Sequence, residues 1–348
     1  MQIRTTDITR DGPPFILAEI GVNHDGSPDI AAQLVDAAHR AGAHAVKFQL
    51  FEADRLLAQS AALVDYQKSS VESGAGADDL LKPLELPPEK MAPLVARAHA
   101  LNLAAIVTPF SPELVPACVD MHVDAIKLAS PDLVNLPLLE AALATNLPLI
   151  LSTGAADLEE IDRTRGWLAD ALALDRTILL HCVSSYPTPP NHATLAAITV
   201  MRNRYPQIPI GYSDHTMETL TAALAVAAGA SVLEKHLTLD RTRKGPDHAA
   251  SLDPPQLADY IRLAATAHAM RGPYEKSPQP RERQIRQQTR QSLTTTKPLP
   301  KGALLTKDML TVKRPGTGIP AALYQQTLGK TLTRPLPANT TLTPNDIA

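Results

Sequence analysis

The chain of 348 residues has only two cysteines, Cys118 and Cys182, far apart and each inside an apolar segment. That excludes a disulfide framework and a cysteine-built zinc site, and leaves packing as their expected role. Charge of either sign is scarce in excess: the net is −3, so no broad basic field awaits nucleic acid or an anionic membrane. No apolar run reaches the roughly 18 residues of a membrane span, and the opening MQIRTTDITRDGPP lacks the apolar centre of a signal peptide. A soluble, cytoplasmic protein acting on small molecules is expected. Nor does GxGxxG follow any strand-like run, which counts against an open dinucleotide-binding sheet, the competing architecture.

What is present is a rhythm. Short runs rich in Ile, Leu and Val recur at 15–23, 45–50, 104–110, 124–130, 147–154, 177–184, 208–214 and 231–239. Between them lie segments of helical periodicity, such as SPDIAAQLVDAAHRAG, where Ser27 can cap, Pro28 suits the first turn and Gly42 closes the end. Strands alternating with helices imply a parallel sheet, and eight such units predict a closed (β/α)₈ TIM barrel over 1–271. The long polar stretch 51–86 between the second and third strands reads as a lid or binding loop. Residues 272–289, rich in Pro, Gln and Arg, read as a linker. In the remainder, 290–348, KPLPKGALLTKDML (297–310) returns as RPLPANTTLTPNDI (334–347), which predicts two lobes of one small, mostly β domain.

Strand ends on the C-terminal face of such a barrel converge on its active site. Here they carry Glu19 and Asn23, Lys47 and Gln49, Thr108, Lys127 and Ser130, Ser152 and Thr153, Ser184 and Tyr186, Asp214 and His215, then Glu234, Lys235 and His236. His215 and His236 flank the apolar stretch that crosses from the seventh strand to the eighth, so a closed barrel makes them neighbours. Two imidazoles with open positions suit Mn²⁺, Fe²⁺ or Zn²⁺. Lys47 and Lys127, with the hydroxyls of Ser130, Ser152 and Ser184, offer charge and donors to a small phosphorylated anion. Glu19 and Glu234 are candidate acid or base groups.

In this order the motifs AEIGVNHDGS (18–27), AGAHAVKFQ (41–49), TPF (108–110), LSTG (151–154), HCVSSYP (181–187), GYSDHT (211–216), EKH (234–236), GPDH (245–248) and VKRPGTGI (312–319) resemble the N-acetylneuraminate (sialic acid) synthase family, with its antifreeze-like (SAF) domain behind the barrel. The resemblance implies a transferase that condenses phosphoenolpyruvate with an open-chain N-acetylated hexosamine, N-acetylmannosamine first, releasing phosphate by C–O cleavage. It implies that His215 and His236 bind Mn²⁺, with Mg²⁺ or Co²⁺ as substitutes. Lys47, Lys127, Ser130, Ser152 and Tyr186 would hold phosphoenolpyruvate, with Thr108, Gln49 and Ser184 close by. Glu19, Glu234 and Asp247 would face the sugar. Arg314 would reach the barrel of a second subunit in a homodimer that exchanges SAF domains. KLASPD (127–132) departs from the family's frequent Ser-Gly-Glu at Pro131 and Asp132, and Ser184 stands where some members have asparagine. LVDYQKS (63–69) looks closer to relatives that make legionaminic acid from a diacetamido hexose, which keeps that acceptor open. A metal-dependent barrel hydrolase, the reading from another class, would want further His or Asp ligands at the first and fifth strand ends, where Glu19, Asn23 and Ser152 stand.

Overall fold

The computed structural model describes residues 1–58 and 76–348; LVDYQKS (63–69) lies outside the described residues. Met1–Pro273 and Tyr274–Ala348 form two compact units. A two-residue hairpin, β1 (Gln2–Ile3) and β2 (Thr6–Asp7), precedes the barrel, too short to leave a periodic signal. All eight expected strands form: β3 (Phe15–Gly21), β4 (Ala45–Leu50), β5 (Ala104–Pro109), β6 (Ala125–Leu128), β7 (Leu149–Ser152), β8 (Thr177–Cys182), β9 (Ile210–Asp214) and β10 (Val232–His236). They pair in parallel and in sequence order, and β10 closes on β3.

The strand period of two divides each sequence between two environments. Phe15, Leu17, Ala45, Ile106, Ile150 and Leu180 share the inner cluster with Ile3 and Ile8 of the N-terminal segment. Ile16, Ala18, Val46, Phe48, Leu151 and Leu233 belong to the outer cluster, packed with the helices. Going on towards the C-terminal ends, the inner positions turn polar: Glu19 follows Leu17, Lys47 follows Ala45, and His236 follows Glu234. At Gly21 the β3/β4 register shifts. A Cβ there would fall 2.1 Å from Glu19 Oε1 and 2.6 Å from Gln49 Nε2, at a φ of +29°, so only glycine lets the bulge pass over those two side chains.

The helix Pro28–Ala41 has the expected ends, with Ser27 accepting from the Ile30 amide and Gly42 left-handed at φ +90°. Among the described residues no helix is long and apolar enough to cross a membrane.

In the C-terminal unit the segment read as a linker carries a helix, Pro280–Thr289. Its prolines stand before the helix or in its first turn, where they are compatible with helix, and the remainder is mostly Arg, Gln and Glu, with Ile285 and Thr289. Beyond it, β11 (Ser292–Thr295) and β12 (Leu310–Lys313) pair antiparallel. The two sequence repeats pair with each other at Leu299 and Leu336, and bury Leu305 and Leu342 in one core. Gly302 and Asn339, equivalent positions, both adopt positive φ, and matching 3₁₀ turns follow at Lys307–Met309 and Pro344–Asp346.

Candidate active site

The converging strand ends enclose a cavity of about 620 Å³. Of the residues singled out in the sequence, Lys47, Gln49, Thr108, Lys127, Ser130 and Ser152 line it from β4 to β7, and Ser184, Tyr186, His215, Glu234, His236 and Asp247 line it from β8 to β10 and the connection beyond. The apolar side chains of Val22, Phe51, Leu56, Leu81 and Phe110 form a wall over the ends of β3 to β5. Phe51 and Phe110 meet edge to face at 6.1 Å.

The floor is ionic and buried. Lys47 Nζ lies 2.5 Å from Glu19 Oε2 and 4.0 Å from Glu234 Oε1, and Lys127 Nζ lies 3.9 Å from Glu234 Oε2. Burial works against the Lys47 cation, but the charges of Glu19 and Glu234 raise its pKa. At Lys127 burial outweighs the pull of Glu234 and lowers it. Burial also works to raise Glu234, yet Lys127 and Lys47 hold its carboxyl below the usual range. Lys127 Nζ donates to Ser152 Oγ at 2.7 Å, Lys47 Nζ to Thr108 Oγ1 at 3.3 Å, and Ser213 Oγ to Glu234 Oε1 at 2.9 Å.

Glu19 differs from expectation. It is fully buried behind Lys47 and Gln49, accepting from Gln49 Nε2 at 2.9 Å, and it does not line the cavity. The β-bulge at Gly21 sets this, a backbone feature that strand periodicity alone does not show. Asp132 is likewise turned to Asn135, whose Nδ2 donates to it at 3.0 Å, while Pro131 lines the cavity. Arg314 lies exposed in the C-terminal unit, directly after β12.

The histidine pair meets as expected, with ring centroids 5.3 Å apart and Tyr186 4.0 Å from His215. His215 Nδ1 sits 2.9 Å from the Val183 carbonyl. A carbonyl only accepts, so Nδ1 carries the proton and Nε2 is left with a lone pair. Burial disfavours charge on His215, while Cys182, 3.9 Å from Nδ1, raises its pKa; a cation at Nε2 displaces the second proton. His236 is held neutral: burial, then the charges of His215 and the nearby lysines, lower its pKa well below the ordinary value. Its Nδ1 is buried without a hydrogen-bond partner, 3.5 Å from Asp247 Oδ2. A lone pair at His215 and an orphaned nitrogen at His236 fit a first-row divalent cation. Among the described residues no group of three or more His, Cys, Asp or Glu is arranged to hold one.

Sequence reasoning missed Ser213, one inward position before His215, and the partners that surround Asp247. Strand periodicity could have found the first.

A closed barrel with two imidazoles and two buried lysines around one cavity defines an enzyme suited to metal-assisted work on an anionic substrate. The comparisons with known proteins agree. The NeuB family matches residues 34–276, and a SAF domain matches 290–348. The chain is 38% identical over 332 residues to the N,N'-diacetyllegionaminic acid synthase of Legionella pneumophila, covering 94% of this chain and 93% of that protein. It is 35% identical to the enzyme of the same name from Campylobacter jejuni, covering 92% and 96%. The crystal structure of the N-acetylneuraminic acid synthetase of Leptospira borgpetersenii, in complex with citrate, superposes with a TM-score of 0.75 at 33% identity, covering 82% of this chain and 94% of that one. The chain belongs to the NeuB family of sialic acid and nonulosonic acid synthases and carries a C-terminal SAF domain. Synthases of this family are generally metal-dependent.

Proposed function

We propose that the chain condenses phosphoenolpyruvate with the open-chain form of an N-acetylated hexosamine and water, giving a nonulosonic acid and phosphate. The observation that carries this is the sharing of one cavity of about 620 Å³ by the His215/His236 pair and by Lys47 and Lys127. A divalent ion, Mn²⁺ foremost, would be held by the two histidines and would polarise the aldehyde oxygen as a Lewis acid. Lys47 and Lys127, with Ser130 and Ser152, bind the phosphate and carboxylate of phosphoenolpyruvate and turn its C3 towards the aldehyde carbon. As the C3–C1 bond forms, positive charge develops at C2. Glu234, ionised between the two lysines and with Oε2 lacking a hydrogen-bond partner, stabilises that charge and receives a proton from the water that adds to C2. The proton taken up by Glu234 passes to the former aldehyde oxygen, which becomes a hydroxyl. The C2–O bond to phosphate then breaks as the new C2 hydroxyl becomes a carbonyl and gives its proton to the leaving phosphate. Glu19 acts through Lys47, holding the ammonium in place. Asp247, whose carboxyl is pushed up to about 6 by burial and the neighbouring charge of Glu19, faces the acceptor hydroxyls.

N-acetylmannosamine, giving N-acetylneuraminate, is the first acceptor to test. A diacetamido hexose leading to N,N'-diacetyllegionaminic acid is the second, and the wall of Val22, Phe51 and Phe110 favours it, since a second acetamido methyl buries against apolar surface where a hydroxyl would find no partner. Phosphate release is measured with chelator-treated protein reloaded with Mn²⁺, offering each sugar in turn, with His236→Ala as control. Release with either sugar, lost in the variant while its unfolding stays cooperative, is expected. Release with neither sugar refutes the condensation, and full activity in the variant refutes the metal role.

A further inference from the structure

The mechanism uses Asp247 but none of the residues that hold it. Asp247 sits in the connection after β10, just before a single 3₁₀ turn, His248–Ala250. Both flanks are tied to the segment that follows β3. Ser251 Oγ donates to the Asp247 carbonyl at 2.6 Å, and Asn23 Nδ2 donates in turn to Ser251 Oγ at 2.8 Å and to the Leu237 carbonyl at 3.0 Å. On the other flank His248, 1% exposed, spans Thr238 Oγ1 at 2.7 Å from Nδ1 and Asp25 Oδ1 at 3.0 Å from Nε2. The second oxygen of Asp25 pairs with Arg243 at 2.6 Å.

Two backbone features show that the arrangement is closely fitted. Asp25 is held at φ +50°, a conformation that costs free energy in a non-glycine residue. Gly245 passes over His248 so closely that a Cβ would fall 2.7 Å from the ring, at φ +158°. The strands do not need these bonds, because β10 and β3 are already paired from Val232 with Phe15 to His236 with Glu19. What the bonds add lies past the strand ends, in the loop that carries Asp247. The spacing Thr238, His248, Asp25 has the form of a nucleophile–base–acid triad, but Thr238 is fully buried and does not line the cavity, so it cannot meet substrate.

We infer that Asn23, Asp25 and His248 are positioning residues for Asp247: a clamp from the end of β3 to the β10 connection that fixes its carboxylate at the cavity, 3.5 Å from His236 Nδ1. The kinetic part of this inference rests on the condensation proposed above; the clamp itself does not.

The test uses the full chain, Mn²⁺-loaded, as wild type, His248→Ala, His248→Gln and the near-isosteric Asp25→Asn, read by two measurements. In hydrogen exchange, the amides of 245–251 should exchange faster in His248→Ala and Asp25→Asn, with those of 232–236 unchanged. In steady-state phosphate release, kcat/KM for the acceptor should fall about 10- to 100-fold, the usual range when a group supporting a site is removed, with the KM for phosphoenolpyruvate within about twofold. His248→Gln keeps a donor towards Asp25 and should recover most of the loss, which a merely structural role would not give. Unchanged exchange at 245–251 overturns the clamp whatever the reaction is. Faster exchange with unchanged acceptor kinetics overturns the positioning role. If wild type releases phosphate with no acceptor, the condensation reading and the kinetic role fail, and the exchange data still decide the clamp. If His248→Ala does not fold, Asp25→Asn carries both measurements.

Discussion

Each histidine of the pair proposed to hold the metal has a charged neighbour pointing the other way. Asp214 precedes His215, Lys235 precedes His236, and the two are direct partners across β9 and β10. Both side chains are fully buried on the outer face of the barrel, with Lys235 Nζ 3.2 Å from Asp214 Oδ2 and 5.6 Å over the Tyr260 ring. At that distance the gross attraction is about 5 kcal/mol for an effective dielectric of ~20, and desolvation offsets much of it. Removing one partner is different, because it strands the other: a cost of about 3–5 kcal/mol is expected.

The two ends are not equivalent. In Lys235→Met the Asp214 carboxylate keeps the Thr216 amide and hydroxyl, both at 2.8 Å, and the Thr221 hydroxyl, which places the cost at the lower end. In Asp214→Asn the ammonium keeps the Thr216 carbonyl. Burial, the largest influence on Lys235, already lowers its pKa, so loss of the proton limits the penalty. The double variant carries no stranded charge and should cost at least about 2 kcal/mol less than the sum of the singles. Denaturant unfolding of chelator-treated protein, following the barrel transition, measures all four species. Singles costing less than about 1 kcal/mol, as for a surface pair, or a double additive within about 0.5 kcal/mol, would refute the reasoning. A Mn²⁺ titration of the same proteins extends it: if the pair sets the separation of His215 and His236, each single weakens Mn²⁺ binding about 10- to 100-fold, and unchanged affinity severs that link.

Two further outcomes are expected. Burial lowers His24 from 6.5 to about 4, so the folded state resists its protonation; stability is intact above pH 6.5 and is lost as pH falls towards 4, by about 3 kcal/mol relative to His24→Asn, and parallel pH–stability curves for the two proteins would contradict this. Arg314→Ala should raise the acceptor KM at least tenfold and leave phosphoenolpyruvate binding alone if the exchanged SAF domain of a homodimer delivers that side chain; sedimentation showing a fully active monomer would dispose of the exchange.

Where the sequence was legible, a short-range rule sufficed. Eight Ile/Leu/Val runs separated by capped helical segments lead to a closed barrel, and the pairing of successive strands, β9 with β10, makes His215 and His236 neighbours although 20 residues separate them. The alternation of β4 and β6 turns Lys47 and Lys127 inward. The repeat at 297–310 and 334–347 announces its own pairing. What was not legible depends on contacts between distant segments or on local backbone geometry. Glu19 has the right parity to face the cavity, but the bulge at Gly21 brings Gln49 and Lys47 across it. The helix Pro280–Thr289 was hidden by prolines that read as breakers when isolated and as first-turn residues in place. The ties from Asn23 and Asp25 to Ser251 and His248 span more than 220 residues of chain and leave no periodic mark.

The same alternation that made the site readable also explains how so polar a mouth is supported. In DH (214–215) and EKH (234–236), successive side chains go to opposite faces of the sheet, so one face offers imidazoles and a carboxylate to the cavity while the other locks the strands with an ion pair beneath the helices Leu220–Ala228 and Pro254–Arg271. A nitrogen of His236 and an oxygen of Glu234 left without hydrogen bonds are costly inside a protein. They persist because the charges behind them, Asp214 and Lys235, are paired with each other and hydrogen-bonded to Thr216. Catalytic groups left open to a ligand require a support that is not itself open, and in this barrel residues one position away in the sequence supply it.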